Sequence, residues 1–462
     1  MSAEQAAGHA AFSHDSISGL GFDWSRAGDP QVAPQPPLKV YLPRDTEDVA
    51  RAVAEARRLG QELVPRGNGH SSNGATLGDH VISFHGMDRV LAIDPDTPSV
   101  TVQAGASLIA VDDLLGEQGL GLPVVGDHRH LTAGGFASVG GVSPASHLYG
   151  LFADNIAQLE YVTYDGDVKV CGRDLDSERF HRLLTGCGRH GLITTLTLDA
   201  IRIDKNAQLL ANHRKVIGDL DAFIAHAERQ MSSPDSARLQ RGYWIDLPVL
   251  SGRARFGQWS DYRPTTSTQV RRWQRQATQT ARSALGQGMS LLPDRVGKVA
   301  KMAGVSGVVF APAIQSVRDA ERGADTVLDY SVGDPTRWFA AWVPMDGYGS
   351  LFRRLTELYR GYRQRTGCFT FVGVLTQAIR SPYLTRRGGG TDEVYGAVMM
   401  ICGVRPSKLT ADVLDSLIED TDAICVEEGA LRYLHSPATA NLALDPNLGA
   451  LDLLTAEVAG SG

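Results

Sequence analysis

No apolar run in this chain of 462 residues reaches the ~18 residues that a membrane-crossing helix needs. The stretch from Met1 to about Gly28 lacks the charged, apolar and small-residue succession of a secretory leader. The expectation is a cytoplasmic protein without a membrane partner. Cysteine is scarce too: Cys171, Cys187, Cys368, Cys402 and Cys425 are odd in number, scattered and free of C-x-x-C pairs. That suits reduced, mostly buried thiols better than a disulfide frame or a zinc site. Cys187, in the turn Gly186-Cys187-Gly188, is the one to test for reactivity, although a small residue filling a tight turn is the simpler reading. Basic charge is likewise short, 45 Lys and Arg against 52 Asp and Glu for a formal net charge of −7. Such a balance argues against nucleic acid and against an anionic membrane surface, and leaves a small molecule as the partner.

What is present begins with length, which exceeds what one core normally supports, so two domains are expected. The most informative stretch is Pro65-Arg66-Gly67-Asn68-Gly69-His70-Ser71-Ser72-Asn73-Gly74. It follows the strand-like Leu63-Val64, and its glycines free the backbone to take positive φ and aim N–H groups at one point. Such a nest binds anions, a pyrophosphate above all. No Gly-Lys-Ser/Thr follows, and the loop is not a G-x-G-x-x-G opening a helix, so neither of those phosphate mechanisms applies. A histidine in such a turn is ordinarily a solvated or capping side chain, and only the neighbouring motifs give it more weight.

Residues 1–33 read as an N-terminal arm, and Pro34-Gln35-Pro36-Pro37 as a stiff lead-in. Lys39 to Leu42 reads as a strand. Asp45 or Thr46 then caps a helix with Val49, Val53, Ala56 and Leu59 in one stripe, Gly60 ends it, and Leu63-Val64 returns as a parallel strand. That order puts the nest at the carboxyl end of a strand, where open α/β structures bind ligands. Strands are expected at 81–84, 90–93 and 100–102, the last after the turn Asp94 to Pro98, and a helix capped by Ser107 over 108–118. The small residues dense between Val124 and Gly141 would let a planar ring system lie against the backbone. Asp154-Asn155-Ile156 opens a hairpin over 159–164 and 167–171 with Asp165-Gly166 as a type I′ turn. A helix over 177–185, the turn Gly186 to Gly191 and an alternating strand over 192–203 complete this unit.

The succession R-G-x-G-H-S at 66–71, G-G-x-x-S at 134–138, Asp154-Asn155-Ile156, the Asp-Gly hairpin and G-x-G-x-x-G-L-I-T from Gly186 resembles the FAD domain of the vanillyl-alcohol-oxidase (PCMH-type) superfamily. The order is that of cytokinin dehydrogenases and berberine-bridge-like oxidases, and the resemblance covers roughly residues 38–205. It implies an α+β fold: a two-lobed PCMH-type FAD-binding domain at 34–205, an α+β substrate domain with an antiparallel sheet at 206–420, and a return to the FAD domain at 421–462. In the substrate part 255–262 and 337–343 read as strands, with Trp338 and Trp342 on one face. A basic amphipathic helix is expected from Thr268 to Leu285, its arginines a solvated face over an ordinary core stripe, and 295–310 is a candidate loop over a pocket.

FAD is the cofactor the resemblance implies. The residues that would hold it are Arg66, Gly67, Asn68, Gly69, His70, Ser71, Asn73 and Gly74 in the nest. Asp127, Thr132, Gly134, Gly135, Ser138, Gly141 and Val142 follow in the small-residue stretch, then Gly191 and Ile193, and Tyr433 near the C-terminus. His70 falls where the family bonds the flavin 8α carbon. Bicovalent relatives have a linking Cys close to position 128, where this chain has a histidine, so a single bond is expected. Gly429 to His435 is similar to the family's G-x-x-Q-Y-L segment, with Arg432 in place of Gln, and the family's D-P-x-x-x-L-S-x-G-Q tail is reduced to Asp445-Pro446.

A flavin accepts hydride at N5, so a base must take the proton from the adjacent O–H or N–H. Asp127 is the candidate, standing before Leu131-Thr132-Ala133-Gly134-Gly135 where the family has its catalytic Asp; the family's two tyrosines are His128 and His130 here, and either imidazole could share the role. An Asp after Gly is also a common turn residue. Asp127, His128 and His130 lack a third nearby ligand in sequence, so no metal is expected. The expectation is an oxidase or dehydrogenase acting on a small amine or alcohol, with oxygen or another acceptor. The alternatives are an oxidative cyclase or tailoring enzyme of secondary metabolism, or a non-redox flavoprotein scaffold. Oligomeric state is not legible.

Overall fold

The computed structural model describes residues 36–126, 128, 131–232, 237–249, 252–266, 313–322, 336–386 and 394–434, together with 19–21, 23 and 436. Strand β1 (Lys39–Tyr41), the helix Thr46–Arg58 and β2 (Val64–Arg66) follow in the expected order. Asp45 caps the helix by accepting from the Asp48 N–H at 2.8 Å, and Val49, Val53 and Ala56 are buried beneath it. Leu59 departs from the stripe. It occupies the C-cap, where the helical repeat has ended, and is 45% exposed. Strands β1 and β2 do not touch, because β3 (His80–Ser83) lies between them and runs parallel to both. The chain leaving β2 therefore enters the glycine loop at the carboxyl end of a small parallel sheet.

A second, five-stranded sheet is antiparallel throughout, in the order β4 (Val90–Asp94), β5 (Ser99–Gln103), β9 (Leu192–Asp199), β7 (Ile156–Val162), β8 (Val168–Gly172). The expected 192–203 strand breaks at Ala200, and β10 (Ile201–Arg202) pairs instead with β6 (Leu120–Gly121). The β7–β8 hairpin corrects the type I′ expectation. Thr163 N donates to Asp167 O at 2.9 Å, Gly166 N to Thr163 O at 2.9 Å, and of the loop residues only Gly166 has positive φ, +94°. It is a three-residue loop closed by a left-handed glycine, which needs no second positive φ at Asp165. Ser107 stands at the N-cap of the helix Leu108–Gly116, yet its hydroxyl makes no cap bond; the Leu108 N–H donates to Leu131 O at 3.1 Å instead.

Beyond Lys205 the chain forms one eight-stranded sheet in which every pairing is antiparallel. Its strands are β11 (Leu209–Ile217), β12 (Leu239–Val249), β13 (Gly252–Thr265), β14 (Ile314–Ser316), β15 (Thr336–Pro344), β16 (Phe369–Ile379), β17 (Tyr395–Val404) and β18 (Leu431–Arg432). They lie in the order β14-β11-β13-β12-β16-β17-β15-β18. The helix expected over Thr268–Leu285 and the loop over 295–310 lie outside the described residues.

Strand alternation sorts the two faces of this sheet. Phe339, Ala341, Val398, Met400 and Cys402 pack under the helices Leu220–Met231, Met345–Thr366 and Ala411–Glu427. Ala340, Trp342, Ala397 and Met399 join the core of the N-terminal half. Burial on both faces explains why β17 reads as a continuous apolar run rather than an alternating one. Three buried charges also span the halves: Lys205 Nζ lies 3.0 Å from Asp112 Oδ1 and 2.8 Å from Glu321 Oε2, and it donates to Leu122 O at 2.8 Å. Burial raises the Glu321 carboxyl above the usual range, with Lys205 opposing it. No helix among the described residues is long and apolar enough to cross a membrane.

Candidate functional site

Between the halves lies a cleft of ≈ 1860 Å³, its open mouth included. Its first wall is mostly main chain. Gly67, Asn68, Gly69, His70, Ser71 and Asn73 line it, all from the loop that leaves β2. Gly69 has φ +69°, and a Cβ there would fall 2.1 Å from Arg66 Nη2; a Cβ on Gly67 would fall 2.4 Å from Thr132 Oγ1. Only the missing side chains let the loop close on Arg66 and Thr132.

Arg66 also lines the cleft and is 1% exposed, with its guanidinium donating to Thr76 Oγ1 at 3.2 Å. Burial lowers its pKa to about 10 while the Asp23 charge works the other way, so it stays cationic at neutral pH. A buried cation beside a glycine-built loop suits a diphosphate. Gly74 turns the loop at φ +78° without lining the cleft.

The small-residue stretch supplies the adjoining surface. Thr132 caps the helix Ala133–Val139, its hydroxyl accepting from Gly135 N at 3.3 Å, and Gly134 N donates to Ala104 O at 2.7 Å. Thr132, Gly134, Gly135, Ser138 and Val142 line the cleft, as do Gly191 and Ile193. Gly141 sits behind the wall against the Phe136 ring. His128 is buried in the wall and packs on His70, ring centroids 4.1 Å apart and planes tilted by 52°. Asp127 and His130 lie outside the described residues. Cys187, partly exposed and at φ +50°, is a further lining residue.

The C-terminal segment touches both walls. Asn73 Nδ2 donates to Leu434 O at 2.7 Å, Tyr433 N donates to Ala340 O at 2.9 Å, and the Tyr433 ring lies 4.9 Å from that of Trp342. Tyr433 lines the cleft. Arg432, in the position of the family's Gln, is not among the lining residues; it forms a buried ion pair with Asp422 at 3.0 Å.

The second wall is made of side chains for which the sequence carried no motif. Arg241 and Tyr243 on β12, Leu375 and Gln377 on β16, Met399 on β17 and Trp338 on β15 face the cleft. Arg241 is 5% exposed and donates from Nη2 to Glu321 O at 3.0 Å, and Gln377 Nε2 donates to Ser143 O at 2.5 Å. A charged residue within the aromatic strand 239–245 was the one available signal, and only sheet register turns it toward the cavity. Among the described residues no group of three or more His, Cys, Asp or Glu gathers to hold a metal.

Comparison with known proteins agrees with this construction. Residues 37–172 match the FAD binding domain family. The chain is 29% identical over 213 residues to cytokinin dehydrogenase 3 of Arabidopsis thaliana, covering 45% of this chain and 40% of that protein. It is 30% identical over 200 residues to an uncharacterized oxidoreductase of a fasciation locus in Rhodococcoides fascians, covering 43% and 44%. With L-gulonolactone oxidase of Bos taurus it shares 29% identity over 195 residues, covering 42% and 44%. The chain thus spans about two fifths of the length of the curated relatives it matches. The glycine loop that closes on Arg66 and Thr132 only without a Cβ, the buried Arg66 and the cleft they line fit FAD. Residues 37–172 are thus similar to the FAD binding domain family, and the relatives named above are a dehydrogenase, an oxidoreductase and an oxidase by name.

Proposed function

We propose that the protein is an FAD-dependent oxidase or dehydrogenase acting on a carbon that bears nitrogen or oxygen in a small molecule. In this reading FAD is tethered through His70, and oxygen or another small acceptor receives the electrons. The observation that carries the reading is the cleft itself, which the glycine loop, Arg66, the His70–His128 pair and the side chains of the large sheet line together. Bound FAD supplies the hydride acceptor at N5.

The chain's own residues do the rest. The loop 67–73 and Arg66 hold the diphosphate, and the small residues from Thr132 to Val142 leave room for a flat ring. Asp127 takes the proton from the substrate O–H or N–H, with His128 or His130 sharing it. The sheet wall orients the substrate and excludes water. Tethering requires an unprotonated His70 nitrogen.

The test is acid precipitation of the purified protein. The pellet is expected to stay yellow, and the His70→Ala variant to release its colour to the supernatant. Free flavin from the unmodified protein would refute the tether, and a colourless protein would refute the flavin reading altogether. Anaerobic bleaching by a panel of amines and alcohols then identifies the bond oxidised.

A further inference from the structure

We propose that Gln377 selects substrates carrying an N–H or O–H donor, accepting that hydrogen at its amide oxygen where the two walls of the cleft meet. The inference rests on reading the cleft as a site of FAD-dependent oxidation, and it adds a chemical requirement on the substrate.

The orientation of a glutamine amide follows from the partner that fixes it. Here the partner is a backbone carbonyl, Ser143 O, 2.5 Å from Nε2 of Gln377. A carbonyl can only accept, so the nitrogen must face it, and Oε1, on the other arm of the planar group, is turned away. Gln377 is 4% exposed and lines the cleft together with Ser143. Among the described residues the Ser143 bond is the one hydrogen bond of this side chain, and Oε1 is not one of the oxygens sealed in the protein without a partner. The acceptor therefore opens on the cavity.

The same bond fixes where that acceptor stands. Ser143 belongs to the FAD half and Gln377 to β16 of the large sheet, so the contact closes one wall on the other. Ser143 is itself held, its N–H donating to Ser146 Oγ at 3.0 Å and its Oγ accepting from Ala145 N at 3.2 Å. Alternation along β16 puts Leu375 on the face of Gln377, and register sets Leu375 opposite Met399 and Met399 opposite Ala340. These three line the cleft and give an apolar bed beside a neutral acceptor. A molecule with an apolar body and one donor matches that pattern. A ligand that cannot donate strips water from Oε1 and returns nothing, and this cost sets the selectivity.

The experiment titrates the holoenzyme with indole and with benzofuran, bicyclic rings of nearly equal shape of which only indole carries an N–H. Binding is read from the visible flavin spectrum and, independently, from the thermal shift. Indole is expected to bind ~5–50-fold more tightly, the range that one buried acceptor left unsatisfied corresponds to. Gln377→Leu, which has no acceptor, should bring indole down to the affinity of benzofuran and leave benzofuran unchanged. Gln377→Glu, which keeps an acceptor, should keep the preference for indole. Equal affinity for the two probes in the unmodified protein, or binding of neither, overturns the proposal. So does an equal loss of both in Gln377→Leu, since the amide would then only join the walls, and so does a Gln377→Glu protein that no longer distinguishes the probes. Should Gln377→Leu not fold, the unmodified protein and Gln377→Glu carry the decision. A colourless preparation would overturn the flavin reading instead, and the thermal shift with the same two probes would still decide the role of Gln377.

Discussion

On one side of the cleft lie a glycine-rich loop and a helix start, packed close on Thr132, Arg66 and Ala104 because residues 67, 69 and 134 have no Cβ, with the buried Arg66 behind. On the other the polypeptide presents side chains delivered by four strands of one antiparallel sheet. The first wall is organised by what is missing at Cβ, the second by what extends beyond it. A wall of backbone suits a cofactor shared by many enzymes, because its N–H groups do not depend on side-chain identity. A wall of side chains can be recast one residue at a time while the sheet beneath stays the same, which is how one scaffold takes different substrates.

The largest expected effect belongs to the residue proposed as the base for a substrate held between the two walls. Replacing Asp127 by Asn should slow anaerobic flavin reduction by ~10²–10⁴ if it is the base; an unchanged rate measured by stopped flow would pass the role to His128 or His130. Next comes the clamp that keeps the walls facing each other. Lys205→Met leaves the buried Asp112 and Glu321 carboxylates without their shared cation, and should cost about 3–5 kcal/mol in denaturant unfolding. A loss well below that would mean that apolar packing and the ion pairs of Arg318 and Arg322 with Asp112 and Asp113 suffice to join the halves.

The backbone wall is tested more gently by Gly69→Ala, whose φ of +69° and contact with Arg66 disfavour any side chain. The expected cost is about 1–3 kcal/mol, with lower flavin content by absorbance and with the sheet wall's ligand preference intact. If flavin content is unchanged, the first wall is not built on glycine in the way described.

The smallest effect concerns the sheet of the second wall. Burial pushes the Asp261 carboxyl above its usual pKa, with the Trp259 N–H bond and Arg263 and His213 pulling it back. Since the folded pKa exceeds the unfolded one, the group's contribution is fully present below the ordinary carboxylate pKa and is lost as pH rises through the raised value. Asp261→Asn, which can still accept from Trp259, should therefore unfold at higher temperature than the unmodified protein at pH 7. The gap should close on acidification toward pH ~4. A gap independent of pH would show that charge is not its source.

Much of the N-terminal half was legible because its signals are local. Asp45 caps the helix it precedes, and the loop after β2 declares itself by its glycines. Where expectation failed, a non-local partner had intervened. Ser107 stands at the N-cap without capping where it pairs across with Thr132, and the 192–203 strand divides where β10 pairs with β6. The Asp165-Gly166 hairpin was foreseen in place and mistaken in type, since one residue more in the loop removes the need for a second positive φ.

By itself the sequence determined where an anion could be cradled and which histidine stands beside it, since positive φ and small side chains are properties of consecutive residues. Only the tertiary structure decided that His128 packs on His70, and that Arg241, Gln377, Met399 and Trp338 share one wall. Those neighbours come from positions as far apart as 241 and 399. Nothing in either segment specifies the other until hydrogen-bonded register brings β12, β16, β17 and β15 into one sheet.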